Sequence, residues 1–260
     1  MNPLKECIGE FIGTFIIVLF GCGCIALAVF FEGVGSLFEV ALIWGFGVAI
    51  AIYATRNICQ SHLNPAVSLA MYLSKKLSLK RLPLYMFSQT FGAFVAAAVL
   101  YFIFNDAIAV YETTHNIVRG SEASVQTALM FGEYFPNPGF ADKVNVSVLQ
   151  ACLLEGFGTF ILVFVIFMLT HKHEQVDNTT PILIGLTITI IICLIAPFTQ
   201  AGINPARDFG PRIFAYFAGS GNAAFPAPKW SFLTVYVISP LLGGVPAWLF
   251  SKVILSPNQP

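Results

Sequence analysis

Long apolar runs alternate with short polar stretches along the whole chain, and the length of each run decides what it can become. Crossing roughly 30 Å of hydrocarbon takes about 20 mostly apolar helical residues. Six runs approach that length: approximately Phe11 to Phe31, Val40 to Thr55, Leu82 to Asn105, Leu149 to Thr170, Pro181 to Phe198 and Trp230 to Ser251. Two further apolar segments, opening at Asn64 and Asn204, extend about half as far. The pattern predicts an all-α membrane protein with six transmembrane helices plus two re-entrant half-helices.

Both short segments open on the same tripeptide, Asn64-Pro65-Ala66 and Asn204-Pro205-Ala206. The residue before a proline is biased away from α geometry, proline suits the first turn of a helix, and Asn is a favoured N-cap. Each box therefore predicts a helix that starts in mid-chain: "NPAVSLAMYL" and "NPARDFGPRIFAYF". The chain before each cap must run extended and expose its carbonyls. That makes Gln60, Ser61 and His62, and Gln200, Ala201 and Gly202, candidates to line a pore; His62 is also expected to orient its loop.

The boxes belong to a larger repeat. "EFIGTFIIVLF" from Glu10 is echoed by "EGFGTFILVFV" from Glu155, an offset of 155 − 10 = 145, and the two Asn caps are 204 − 64 = 140 apart. The unit of three spans and one half-helix occupies about 6–105 and about 148–254, joined by a loop of about 106–147 in a single channel domain, 1–260. Three spans is an odd number, so the second copy enters from the opposite face as an inverted repeat. Broken helices at membrane depth are tolerated where they are buried or line a watery cavity. Two N-termini meeting there, each with roughly half a positive charge, oppose a cation or hydronium and leave a neutral solute unaffected. Glu10 and Glu155 read as acceptors for the orphaned N–H groups of the two broken loops.

Composition agrees: 57% hydrophobic residues, 10% charged and a mean hydropathy of +0.80 describe a surface for lipid rather than water. The net charge of +0 gives no reason for a nucleic-acid partner. Lys5, the cluster Lys75, Lys76, Lys80 and Arg81, the run His171-Lys172-His173, and Lys252 share one side, which the positive-inside rule makes cytoplasmic together with both termini. The connection carrying Asp106, Glu112, Glu122, Glu133 and Asp142 is then external, and no cleavable signal is needed. The cysteines, Cys7, Cys22, Cys24, Cys59, Cys152 and Cys193, show no metal spacing and read as packing residues. No nucleotide loop or catalytic triad is visible, so no cofactor, metal or enzymatic activity is expected. The small residues of "FGAFVAAAV" from Phe91 should let helices approach closely.

Together the inverted repeat, the paired boxes, the Glu-led spans and the extension "GINPARDFGPR" resemble the aquaporin (major intrinsic protein) family over residues about 6 to 254. Asp208 after Arg207, Arg212, "IWGFGVAIAIY" and the long loop with "HNIVRG" and "YFPNPGF" are similar to its aquaglyceroporin branch, the bacterial glycerol facilitators. The resemblance implies the aquaporin fold, one pore per subunit and a homotetramer in the plasma membrane. It also implies an outer selectivity filter of Trp44, Ile192, Ala201 and Arg207, with Ala201 where glycerol facilitators usually have Phe and Ile192 where they usually have Gly. Water-selective members have His at the Ile192 position. Asp208 and Arg212 read as surface and helix-dipole partners.

Such a filter keeps one fixed cation with up to five donors, one large aromatic face and otherwise aliphatic walls. It suits a solute with hydroxyls or a carbonyl on one side and carbon on the other. The expected function is passive permeation of glycerol, other small uncharged solutes and water, with protons and ions excluded. Urea and protonated lactic acid, or another small organic acid, are the rival solutes. An ion-coupled secondary transporter is a more distant alternative.

Overall fold

The computed structural model describes residues 2–171, 177–225, 228 and 230–255. Within them the chain is helical and contains no strand, and eight helices of nine residues or more organise it. They are α1 (Pro3–Phe31), α2 (Leu37–Thr55), α3 (Pro65–Leu73), α4 (Leu82–Thr114), α5 (Val148–Thr170), α6 (Thr180–Thr199), α7 (Pro205–Ala215) and α8 (Ser239–Leu255). Six helices are long and apolar enough to span a membrane, the last counted from Leu233 to Leu255. The half-helices α3 and α7 are the two that are not.

The ends of the spans differ from those read off hydropathy. α1 begins at Pro3 rather than Phe11, because Asn2 caps it through a hydrogen bond from the Leu4 N–H at 3.0 Å. α4 continues through Asn105 and Asp106 to Thr114, well into the stretch assigned to the external loop. Hydropathy registers only the part of a helix that lies in hydrocarbon, whereas backbone hydrogen bonding continues into water. The sixth span is a wide-turned segment, Leu233–Ile238, that runs into α8, with Trp230 outside it. Of the basic residues used for orientation, Lys172 and His173 lie outside the described residues.

Helix packing repeats the sequence repeat. α1 packs on α2 and α4 as α5 packs on α6 and α8, and α2 meets α6 across the middle. The half-helices are exchanged, α3 lying against α8 and α7 against α4, so each repeat closes over the other's broken element. Where α2 crosses α6, a Cβ on either Gly45 or Gly185 would run into the other's carbonyl, and 185 − 45 = 140 places them at equivalent positions. Gly92 likewise backs directly onto the Phe11 carbonyl, and Ala93, Ala96 and Ala97 beside it are buried, so "FGAFVAAAV" is a close helix contact. Phe46, Phe87, Phe102, Leu149 and Ile190 face outward, the apolar exterior that a lipid-facing bundle carries. This is a multi-pass membrane protein of six spans and two half-helices, the arrangement the sequence resemblance implies.

Candidate pore and selectivity filter

Both Asn-Pro-Ala boxes start helices as their chemistry dictates. Asn64 and Asn204 are extended caps; Asn64 Oδ1 accepts from the Ala66 N–H at 2.8 Å, and Asn204 Oδ1 from those of Ala206 and Arg207 at 3.1 and 3.3 Å. Their amide nitrogens then tie the boxes together. Asn64 Nδ2 donates to the Ile203 carbonyl at 2.9 Å, and Asn204 Nδ2 to the Leu63 carbonyl at 2.8 Å. Each amide carries two hydrogens, so one cross-link leaves each Asn a second N–H. The carbonyls used are those of the residues immediately before the caps, one step beyond the stretches marked from sequence. The exchange between boxes is not encoded in either box alone.

Those two residues sit in unusual backbone. Ser61 (φ 50°) and Leu63 (φ 54°) are left-handed, and so are Ala201 (φ 62°) and Ile203 (φ 39°). With 201 − 61 = 140 and 203 − 63 = 140, the same conformation recurs at equivalent positions. Non-glycine residues in this region cost about 1–3 kcal/mol each and persist only where surroundings over-determine them. Here the surroundings are the two buried acids. Glu10 accepts from the N–H groups of His62 at 2.9 Å and Leu63 at 2.7 Å; Glu155 accepts from those of Gly202 at 2.9 Å and Ile203 at 2.6 Å. Gln89 adds a donor to Glu10 at 2.8 Å and bridges to Ser68 at 2.9 Å, whose hydroxyl lies 3.2 Å from His62 Nδ1. His62 is thereby fixed in its loop. A further buried acid, Glu6, was not singled out from sequence; it accepts from the Tyr85 hydroxyl at 2.9 Å and pairs with Arg81 at 3.1 Å.

A cavity of about 640 Å³ leads to the crossed boxes. It is lined by the polar residues Arg56, Asn57, Lys76 and Asn178, by the aliphatic Val48, Ile52 and Ile188, and by Leu63, Asn64 and Asn204 at the boxes. Gln60, Ser61 and His62 contribute to the lining. Their counterparts in the second repeat do not; the Gln200 side chain instead accepts from the Tyr134 N–H at 2.6 Å. The cavity thus combines aliphatic walls with the polar groups of the broken loop and with Arg56, Asn57, Lys76 and Asn178.

Trp44, Ile192, Ala201 and Arg207 are all buried, and the first three belong to one apolar cluster. The Arg207 guanidinium carbon lies 3.9 Å from the Trp44 ring centroid, stacking contact for a cation and a π face. The ring itself rests on Gly21 of α1, where a Cβ would overlap it. Arg207 also forms a buried ion pair with Glu133 of the loop between α4 and α5. Sequence reading counted Glu133 only among the charges of an external loop.

Asp208 and Arg212 explain how that acid arrives, and the expectation that they lie at the surface is corrected: both are essentially fully buried. Arg212 donates to Asp208 Oδ2 at 2.8 Å, to Asp208 Oδ1 at 2.7 Å, to the Ala224 carbonyl at 2.6 Å and to the Glu133 carbonyl. Asp208 Oδ1 accepts in turn from the Glu133 N–H at 2.8 Å. The backbone of Glu133 is gripped from both sides by α7, through the residue next to the one its side chain pairs with and through Arg212 further along. Burial of two full charges is tolerated only with such complete partnering. Each member is separated from the others in sequence by loop or helix turn, so hydropathy carries no sign of it.

The comparisons with known proteins agree with this geometry. The model of the family described as "Major intrinsic protein" matches residues 1–250. A glycerol uptake facilitator protein of Haemophilus influenzae is 39% identical over 253 residues, covering 96% of this chain and 93% of the relative. That of Escherichia coli K12 is 38% identical over 253 residues, covering 96% and 88%, and the propanediol uptake facilitator PduF of Citrobacter freundii is 35% identical over 259 residues, covering 98% and 93%. Among solved structures, the aquaglyceroporin from Plasmodium falciparum superposes with a TM-score of 0.81 at 27% identity over 97% of both chains. With its fold, its crossed boxes and these matches in agreement, the chain belongs to the major intrinsic protein family.

Proposed function

We propose that this protein is a passive channel for glycerol and similarly small uncharged solutes, with water, and that it has no enzymatic activity. The observation that carries the reading is the reciprocal tie between Asn64 and Asn204 in the lining of the cavity. It sets two helix N-termini face to face and leaves amide hydrogens for a passing oxygen, which suits neutral hydroxylated solutes and opposes protons. The named relatives, glycerol and propanediol facilitators, favour a polyol over other solutes.

Trp44, Ile192, Ala201 and Arg207 form the outer filter in this reading, and the carbonyls at 60–62 beside the cavity, with those at 200–202 outside its lining, are offered to solute. Because the guanidinium touches the Trp44 ring, a solute passes by lifting it or by moving along the Ala201 and Ile192 side. The small side chain at Ala201 is what keeps protonated lactic acid, and urea, as second solutes. Glu10 and Glu155 accept from loop N–H groups with both oxygens, which favours a structural tether over the relay acids of an ion-coupled transporter. The repeats at about 6–105 and 148–254 form one pore per subunit, in a homotetramer in the plasma membrane with cytoplasmic termini.

Stopped-flow light scattering on proteoliposomes tests this with water, glycerol, urea and lactic acid at pH 4 and pH 7. Glycerol entry well above that of empty vesicles is expected at both pH values. Entry of lactic acid only at pH 4, with glycerol no faster than in empty vesicles, would replace the polyol reading with an organic-acid one.

A further inference from the structure

We infer that Glu133 is a fifth residue of the outer constriction and sets its charge, making with Arg207 a neutral couple that favours uncharged hydroxyl-bearing solutes over ions of either sign. The inference rests on the channel reading and adds to it a specificity-determining residue from the external loop.

Three observations carry it. Glu133 Oε1 contacts Arg207 Nη1 in an ion pair whose partners are each only 6% exposed at the side chain. The backbone of Glu133 is held by Asp208 through its N–H and by Arg212 through its carbonyl, so the acid is placed rather than merely nearby. The same guanidinium lies on the Trp44 ring, which makes Glu133 part of one assembly with the filter residues.

The chemistry follows from what each group can do. A guanidinium has only donors and a carboxylate only acceptors, so the couple matches a hydroxyl, which does both. An isolated guanidinium in a desolvated constriction attracts anions, and an isolated carboxylate attracts cations, because low dielectric magnifies an uncompensated charge. Together they cancel at short range. The remaining positive field is then that of the half-helix ends, deeper in the pore.

The test uses full-length protein in vesicles at pH 8.5 and reads potassium entry with an indicator dye. Arg207→Val leaves Glu133 without its counter-charge, and entry is expected to rise about tenfold over the unsubstituted channel, the low end of what a focused charge does to local ion concentration. Adding Glu133→Gln to that variant is expected to remove most of the rise. Potassium entry equal in the single and double variants would overturn the inference. Should Arg207→Val fail to assemble, Glu133→Gln alone is read by nitrate entry: a several-fold increase supports the role of Glu133, and entry no faster than in the unsubstituted channel refutes it. Glycerol entry into vesicles of unsubstituted protein is measured alongside. Its absence would count against the channel reading itself, whereas glycerol entry with no charge effect at position 133 counts only against this inference.

Discussion

The guanidinium of Arg207 lies 3.9 Å from the centre of the Trp44 ring, and a Cβ on Gly21 would overlap that same ring. A methyl group at Gly21 displaces the ring from its seat and with it one wall of the proposed constriction. Gly21→Ala is therefore expected to slow glycerol entry by about tenfold, the effect of roughly 1.4 kcal/mol on a barrier, with assembly retained. Swelling rates of reconstituted vesicles check this; an unchanged rate in a folded variant would show that the ring does not bound the path.

In the proposed filter, Ala201 is the wall opposite in character to Trp44. Replacing it with Phe adds a second aromatic ring to a buried position that now holds a methyl group. The expected outcome of Ala201→Phe is a rise in the ratio of glycerol to lactic acid entry at pH 4, because a branched acid loses more clearance than a slender polyol. If the ratio stays constant, position 201 lies outside the filter.

Both oxygens of Glu155 accept backbone donors, from Gly202 and Ile203, and the second lies in left-handed backbone. Glu155→Gln keeps the shape but turns one acceptor into a donor facing an N–H. An unsatisfied buried donor costs about 1–3 kcal/mol, so a lower midpoint of thermal unfolding in detergent is expected. Glu10→Gln should do the same at the equivalent site. A midpoint equal to that of the unsubstituted protein in both would argue that the loops hold themselves.

Burial pushes the Glu133 carboxyl up to about 7, although Arg207 opposes the rise. The charged and titratable groups around it are Arg207, Asp208 and Arg212 of α7, Glu155 of α5, Cys22 and Cys24 of α1, and Tyr134 and Tyr236. A raised carboxyl is neutral below that pH and charged above it, so acidification removes the counter-charge from Arg207 and leaves the guanidinium unpaired. Between pH 8.5 and pH 5.5 the glycerol entry rate should therefore converge on that of Glu133→Gln, whose own rate stays level. A pH profile identical in the two proteins would be the contrary result.

Much of the channel is legible in the chain itself, since its causes are local. Hydrocarbon thickness fixes the length of an apolar run, which gave the spans. Proline and Asn chemistry fixed the starts of α3 and α7, and the internal repeat identified equivalent positions, with the caps offset by 140 residues and the loop-holding acids Glu10 and Glu155 by 145. The ends of α1 and α4 were less legible, because a helix does not stop where hydrocarbon does.

What tertiary structure alone decided lies where groups distant in sequence share a buried charge or donor. Asn64 reaching the carbonyl before Asn204, and the reverse, depends on two half-helices meeting end to end. Glu133 reaching Arg207 depends on Asp208 and Arg212 being buried rather than at the surface. A charged residue in a polar loop has the same sequence signature whether it faces water or is drawn into a filter. Only the fold determines whether a buried counter-charge stands opposite it, and burial is what makes that counter-charge necessary.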